Sequence, residues 1–445
     1  MKFRHAVVFA TALSLAPFTA FAGKKAAPPA PKPFIPTLSQ VFEASGINVT
    51  GVVDMSYDLS KNDVTGIPAA AATTFRAFDV HPNSFVFHQL YLTISKQWSN
   101  GISLVVNPIF GDDANRLQGT RGQPTVAGGG ALGNSDWVLN QAYLQYSIGN
   151  LTLMGGKFVT LSSAEIINPA GNINASRSLL FTNFTPLTHV GVRGSYMLCK
   201  NLTLTVGGVN TGAGTAFGTS PLVSGRYSVA AGSPGNGNTD NNSNVSLESQ
   251  LAYTGGIFST AFTYYHGDEA TPAFPFGATL GDDDRQIDLY DFVASVTPMD
   301  ALTLGLNFDY IVADTGTAEG AGSAGTFDGA AATGGQTYDS GIAGYVNFKL
   351  TPKARVAVRG EYLSIDANTG GPTLNTGYVY VNEFTVTFAY APLSGLELLA
   401  EVRQDNADNP IFTTVRGPAG IAVGGSIAGA SSYQQTGTLK AIYKF

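Results

Sequence analysis

Ten charged residues draw attention by their placement. Asp54, Arg193, Glu248, Asp309, Lys349, Arg359, Glu361, Glu383, Glu401 and Arg403 all fall on the polar phase of segments in which apolar and polar side chains alternate. Gathered on one surface, such groups could brace each other as ion pairs, or set up a field that orders water and selects polar solutes. Catalytic chemistry finds less support. Ser, His and Asp occur throughout, but no local signature picks out a nucleophile with its base, so no enzyme is expected. GAGTAFG and the glycine run at 128–130 are loop glycines, because no strand-to-helix unit follows them as a phosphate cradle requires. Cys199 is the only cysteine, which removes a disulfide framework and any thiolate-rich metal site.

The elements that position these residues begin after an export signal. Lys2 and Arg4 precede an apolar stretch that ends at Ala20-Phe21-Ala22, a small-x-small cleavage site, so residues 1–22 are set aside as a signal peptide. A Pro/Ala-rich linker over 23–36 and a short helix over 37–46 follow. In the helix Thr37 and Gln40 stand at capping-box spacing and Gly46 serves as the stop. No later run of apolar residues is long enough for a spanning helix. With 24 basic against 31 acidic residues the net charge is −7, which disfavours nucleic acid as a partner.

From Ile47 to the end the period is two. Ile47, Val49, Val53, Met55, Tyr57 and Leu59 alternate with polar residues, and the pattern returns at 302–312 and 396–403. It predicts about sixteen strands over 47–445, the last at 433–445. The connections alternate as well. Tight turns such as Ser99-Asn100-Gly101 and Gly149-Asn150 separate long Gly/Ala/Asn/Asp-rich stretches at 61–83, 113–135, 163–187, 211–243, 268–284, 314–337, 367–377 and 406–432. Short turns at one end and long loops at the other indicate an all-β, transmembrane, antiparallel up-and-down barrel in an outer membrane, with periplasmic turns and extracellular loops.

The closing heptapeptide LKAIYKF fits that wall. Leu439, Ala441, Tyr443 and Phe445 share a face, which would meet lipid while the strand closes the sheet against the first and serves barrel assembly, and Ile442 breaks the alternation. About sixteen strands leave a water-filled bore, so the ten charged residues are expected to line it. The third long connection differs from the others: it is Asn-rich, carries Glu165, Asn172, Asn174 and Arg177, and contains Leu179, Leu180 and Phe181, apolar residues out of place in an exposed loop. It is expected to fold inward and narrow the bore, a lid over the rim being the alternative. Asp112-Asp113 and Asp282-Asp283-Asp284 could bind Ca²⁺ or bridge to lipopolysaccharide, but they lack an EF-hand spacing and read as solvated, so no metal and no cofactor is expected.

NSFVFHQLYLTISKQ, GDDANR, NQAYLQY, GGKFVTLSSAEIINPAGNINASRSLLF and TPLTHVGVRGSY resemble, in wording and order, the OmpL-like β-barrel porin family, chiefly over residues 37–200. The resemblance implies an outer-membrane porin. The expected function is passive diffusion of small hydrophilic solutes or ions, with a weak cation preference from the acidic balance. A plugged barrel serving adhesion or surface contact is the alternative, and an outer-membrane hydrolase is a third class without a motif. Expected partners are outer-membrane lipids and lipopolysaccharide, the outer-membrane assembly machinery and small hydrophilic solutes; a homotrimer is also open.

Overall fold

The computed structural model describes residues 37–61, 76, 78, 79, 81, 83–117, 136–210, 244–270, 284–314, 336–366, 378–408, 412–413 and 430–445. Residues 1–36, read above as signal peptide and linker, and much of the long connections, Asp282 and Asp283 included, lie outside the described residues. The strands are β1 Ile47–Ser60, β2 Ser84–Gln97, β3 Ile102–Phe110, β4 Trp137–Ile148, β5 Leu151–Val159, β6 Thr188–Cys199, β7 Leu202–Val209, β8 Ser246–Gly255 and β9 Phe258–Ala270. They continue as β10 Asp284–Met299, β11 Leu302–Asp314, β12 Gln336–Thr351, β13 Ala354–Asp366, β14 Tyr378–Leu393, β15 Leu396–Ala407, β16 Phe412–Thr413, β17 Ala430–Ser431 and β18 Tyr433–Lys444. Among the described residues three short α-helices accompany them, α1 Leu38–Ser45, α2 Asp112–Leu117 and α3 Leu179–Phe184, with a single 3-10 turn at Pro169–Gly171.

Each barrel strand pairs antiparallel with its chain neighbours, and β18 pairs with both β15 and β1, so sixteen strands close into one barrel while β16 and β17 form a separate hairpin. Closure follows from the solvent. In hydrocarbon no water can satisfy backbone N–H and C=O groups, so a sheet that spans it cannot keep an edge. The seam runs from Val52 opposite Lys444 to Ser60 opposite Thr436. It ends where Gly51 and Phe445 exchange two backbone hydrogen bonds of 2.9 and 3.0 Å. The Phe445 ring lies over Gly51, where a Cβ would come within 2.2 Å of Phe445 Cζ, so a larger residue there would displace the ring. The tight turns take the positive φ they need from glycine, as at Gly149 (56°) and Gly256 (60°).

Alternation sorts the side chains. Leu144, Val192, Phe262, Phe308, Phe384, Val402 and Leu439 stand exposed on the outer face. Aromatic residues collect at both ends of that face, Tyr264, Tyr290, Tyr310 and Tyr338 in a row with centroids 5.0–6.5 Å apart near the long-connection end, and Tyr443 with Phe445 near the tight turns. Such girdles mark the two interfaces of a membrane. Ile442, out of phase with the apolar side of its strand, points inward and is buried with Val52, Ile109 and Leu399.

Two bulges change the phase of the wall. His88 is the extra residue where Gln89 and Phe87 face Asp54 and Met55, so His88 and Gln89 are both buried inside. Asn140 is the extra residue opposite Asn107 and Pro108, and it donates to Asn107 Oδ1 at 2.8 Å. The strands also differ in length: β3, β5 and β7 have 9, 9 and 8 residues, while β10, β12 and β14 have 16 each.

Candidate functional site

The chain between β5 and β6, residues 160–187, runs inside the barrel. Backbone that is neither helix nor sheet must find other partners for its polar groups, and here the inner wall supplies them. Tyr265 accepts from Leu161 N at 2.9 Å and Gln250 donates to Leu161 O at 2.8 Å. Asp291 accepts from Ser163 N, and Asn307 from Ala164 N, both at 2.7 Å. Farther along, Arg355 donates to Ile173 O at 2.6 Å and Asn174 donates to Thr387 Oγ1 at 2.7 Å. Glu401 accepts from Ala175 N and Ser176 N at 2.6 and 3.1 Å, and Glu361 accepts from Leu179 N and Leu180 N at 3.1 and 2.9 Å. Wall carboxylates thus grip N–H groups, while wall guanidiniums grip carbonyls: Arg359 donates to Ser176 O at 2.8 Å and Arg403 to Arg177 O at 2.6 Å. Each of these bonds is charge-assisted and shielded from water.

The gripping charges pair with one another. Arg359, fully buried, lies 2.9 Å from Glu165, 3.0 Å from Glu361 and 3.1 Å from Glu383. Arg403 lies 2.8 Å from Asp405, which also pairs with Arg76 at 2.5 Å. Glu383 in turn accepts from the Thr385 hydroxyl. A guanidinium presents five donors in a fixed fork, which suits it to hold several carboxylates and carbonyls together. Two further pairs stand apart: Arg193 with Glu248 at 2.6 Å, its guanidinium 4.2 Å over the Phe158 ring, and Lys440 with Asp54 at 3.1 Å. Asp309 faces Asp291 across β10 and β11 and accepts from Asn307 at 3.1 Å.

Apolar packing completes the attachment. Ser178 caps α3 by accepting from Phe181 N at 2.8 Å, and its own N–H donates to Glu165 at 2.8 Å. Leu179, Leu180 and Phe184 are buried against Tyr265, Leu289, Ile311, Leu363 and Val381 of the inner wall. Gly341 makes room for them, since a Cβ there would stand 2.4 Å from Leu180 Cδ1 and 2.9 Å from Phe184 Cε2. Arg177 donates to Ile167 O at 2.6 Å and lies 5.7 Å from the rings of both Phe78 and Phe181. Asn172 folds the chain on itself, accepting from Ile166 N at 2.9 Å and donating to Ile166 O at 2.8 Å. Phe78 and Arg76 bring the first long connection into the same assembly.

The alternation places the ten charges on the inner side, but they do not face one another across an open transverse field. Asp54, Arg193, Glu248, Asp309, Arg359, Glu361, Glu383, Glu401 and Arg403 are buried in short-range contacts, and Lys349 alone of the ten is exposed, near the tight turns. The reason is that ten inward charges in a barrel of this bore would be wet only if the third connection stayed outside. Glu165, Asn172, Asn174 and Arg177 lie together in that connection and act on its own folding as much as on the wall. Asp405, Asp291, Asn307 and Arg355 join the site, marked by the same period-two phase of their strands. Arg76, separated from its partner Asp405 by most of the chain, carries no such mark.

The acidic pair Asp112-Asp113 is engaged by side chains. Asp112 lies 3.1 Å from His81, and Asp113 lies 3.1 Å from His88 while accepting from Gln89 at 2.8 Å. Burial in α2 would raise the Asp113 carboxyl, but its attraction to His88 and the hydrogen bond between them, with Lys440 and Arg177 beyond, hold it below the ordinary carboxylate range. Among the described residues no group of three or more His, Cys, Asp or Glu side chains could hold a metal ion.

A closed sixteen-stranded antiparallel barrel with a greasy exterior, two aromatic girdles and a polar segment inside is the architecture of an outer-membrane porin. The family model described as "Putative beta-barrel porin-2, OmpL-like" matches residues 46–445, and the chain belongs to that family. The match extends well past the 37–200 region in which the wording of the sequence carries the resemblance. Solved structures agree on the fold. The outer membrane channel DcaP of Acinetobacter baumannii superposes with a TM-score of 0.54 at 15% identity, covering 90% of this chain and 97% of that one. The anion-selective porin from Comamonas acidovorans gives 0.54 at 10% identity, with 90% and 99% covered. A loop L8 deletion mutant of OmpT from Vibrio cholerae gives 0.52 at 11% identity, with 90% and 99% covered. No curated protein matches the sequence. The protein resides in the outer membrane and is a porin.

Proposed function

We propose that this porin lets small hydrophilic solutes diffuse passively through the part of the bore left by residues 160–187, which act as its constriction, with no catalytic step. The observation that carries the reading is the double grip on the segment by Glu361 and Glu401 at its backbone N–H groups and by Arg359 and Arg403 at its carbonyls. A segment held at so many points narrows the bore permanently instead of flapping over a rim. Deleting residues 168–182 tests it: single-channel current in planar bilayers rises if the segment is the constriction and stays unchanged if it is not. A parent protein without stepwise current that gains it on deletion would instead identify a plugged barrel, the reading suited to adhesion.

The same proposal sets the protein in its surroundings. Residues 1–22 direct export and are removed, 23–36 link, and α1 sits in the periplasm beside the tight turns, while the long connections face outward toward lipopolysaccharide. The outer face meets lipid, and the strand bearing Leu439, Ala441, Tyr443 and Phe445 is what the assembly machinery engages. One solved structure of OmpT from Vibrio cholerae is a trimer form. We extend a threefold assembly to this chain, with β3–β8, the arc that holds the short strands β3, β5 and β7, as the buried side. An apolar groove of about 840 Å³ on that side, floored by Gly155, Gly194 and Gly208 and walled by Leu153, Val192 and Val206, would receive a neighbouring copy.

A further inference from the structure

Toward the tight turns the inner wall changes character. Across β5–β9 a row of inward residues stands in direct register: Thr152 opposite Ser195, Ser195 opposite Thr205, Thr205 opposite Gln250, and Gln250 opposite Thr263. Ser195 and Thr205 share a hydrogen bond of 2.9 Å, Gln250 donates to Thr263 at 3.0 Å, and Ser259 meets Ser295 at 2.9 Å on the next pair of strands. Ser103 faces Gln145 on the other flank. Gln250 and Thr263 at the far end of the row hold Leu161 O of the inserted segment, and the next member, Asp291 opposite Thr263, is buried against Ser163 N; nearer the tight turns, among the described residues, the half-buried inward positions of β2–β11 carry Ser, Thr, Gln, Tyr and small or apolar residues, and no charged side chain. Charge on the remaining arc is balanced at Arg355 and Glu397, 2.9 Å apart, and otherwise lies at the rim in Lys349 and Lys444.

This wall has a definite chemistry. A hydroxyl or a carboxamide both donates and accepts, so it can replace water around a solute hydroxyl in either role. It exerts no net field, and an ion of either sign gains little from it. On the described wall Glu361, Glu383, Glu401 and Asp405 are held by guanidiniums or by the backbone of the inserted segment, Asp291 by Ser163 N and Asp54 by Lys440, while Asp309 is buried against Asp291 and Asn307, so these carboxylates are not turned toward passing ions.

We infer that the hydroxyl- and amide-lined arc of β2–β11 makes this a pathway for uncharged polyhydroxylated solutes, sugars or sugar alcohols, with little discrimination between cations and anions. The inference rests on the channel reading above and replaces the weak cation preference expected from net charge. The test uses the full-length mature protein in planar bilayers under a KCl gradient and in liposomes swelling in a hexitol or in the corresponding hexonate. The expected K⁺/Cl⁻ permeability ratio lies within about twofold of one, as befits a wall without a net field. Swelling in the hexitol is expected to be at least as fast as in the hexonate. Gln145→Glu and Gln145→Lys should then move the ratio in opposite directions, and Thr152→Lys repeats the test at a second site should either fail to assemble. A ratio of about ten or more for either ion, the mark of a charged filter, overturns the inference while leaving the channel standing. So does exclusion of the hexitol, and so do Gln145 and Thr152 variants that fold but leave the ratio unmoved. Absence of any stepwise current overturns the channel reading and the inference together.

Discussion

Arg359→Met is the substitution that separates a held constriction from a passive filling. The guanidinium is wholly buried, with Glu165, Glu361 and Glu383 at 2.9–3.1 Å, and it donates to the carbonyls of Ser176 and Arg177 at 2.8 and 3.3 Å. Methionine keeps much of the volume and leaves three carboxylates and two carbonyls without their common donor. Removing one partner of a buried ion pair costs about 3–5 kcal/mol. The wall cannot relieve that cost by opening, because its backbone bonds have no substitute in lipid. The inserted segment can, by withdrawing into water. A penalty of that size shifts the ratio of released to inserted segment by about two to three and a half decades, at one decade per 1.4 kcal/mol. The assays are single-channel conductance and trypsin cleavage after Arg177, which is buried in the parent protein. Both should rise together, with the barrel still folded by circular dichroism. Adding Glu383→Met should restore part of the parental behaviour, since replacing charges on both sides removes part of the unpaired burden. Parental conductance and parental trypsin resistance in a folded Arg359→Met protein would refute the reasoning.

Two further substitutions probe single close approaches. Gly341→Leu places side chain where Leu180 and Phe184 now lie, the Cβ alone falling 2.4 Å from Leu180 Cδ1; overpacking of this kind costs about 1–3 kcal/mol and should expel α3. Hydrogen exchange over 179–184 should quicken while the strands stay protected, and unchanged exchange would contradict the packing described. Gly51→Val should displace the Phe445 ring from the seam and lower the temperature at which the barrel loses its heat-resistant form, whereas Gly155→Val, at an outward glycine whose Cβ would meet only Val192 at 3.8 Å, should alter it far less. Equal effects of the two would show that the seam at Gly51 and Phe445 holds nothing special.

Much of this architecture can be read from residue order because a strand has a period of two and a membrane wall has two opposite solvents. Leu302, Leu304, Leu306 and Phe308 could face only one way once Asn307 and Asp309 faced the other, and the alternation of tight and long connections then required an up-and-down barrel. The same phase placed Glu361, Glu383, Glu401 and Arg403 inside. What it could not reveal is which inward charge meets water and which meets chain, since that depends on contacts between residues far apart, such as Glu401 with Ala175 or Arg76 with Asp405. Local breaks in the period were also hidden. His88 and Asn140 are single extra residues in bulges, and Lys157, in phase with the apolar Leu151 and Leu153, is nevertheless buried next to Gly156, whose φ is 132°. Ile442 broke its strand's pattern because the wall beside it packs against the inserted segment's apolar cluster, so its inner face there is greasy.

The central claim is that residues 160–187 lie inside the barrel and are gripped there, while the wall below them stays wet. Paired thiol labelling tests it most directly, in a Cys199→Ser background because Cys199 is exposed. A membrane-impermeant maleimide applied to the folded protein should modify Ser95→Cys, on the half-buried inner wall toward the tight turns, and spare Ser176→Cys, which is buried between Arg359, Arg403 and Glu401. Rapid modification of Ser176→Cys in a folded barrel, at a rate matching Ser95→Cys, would place the segment outside the bore and contradict the account.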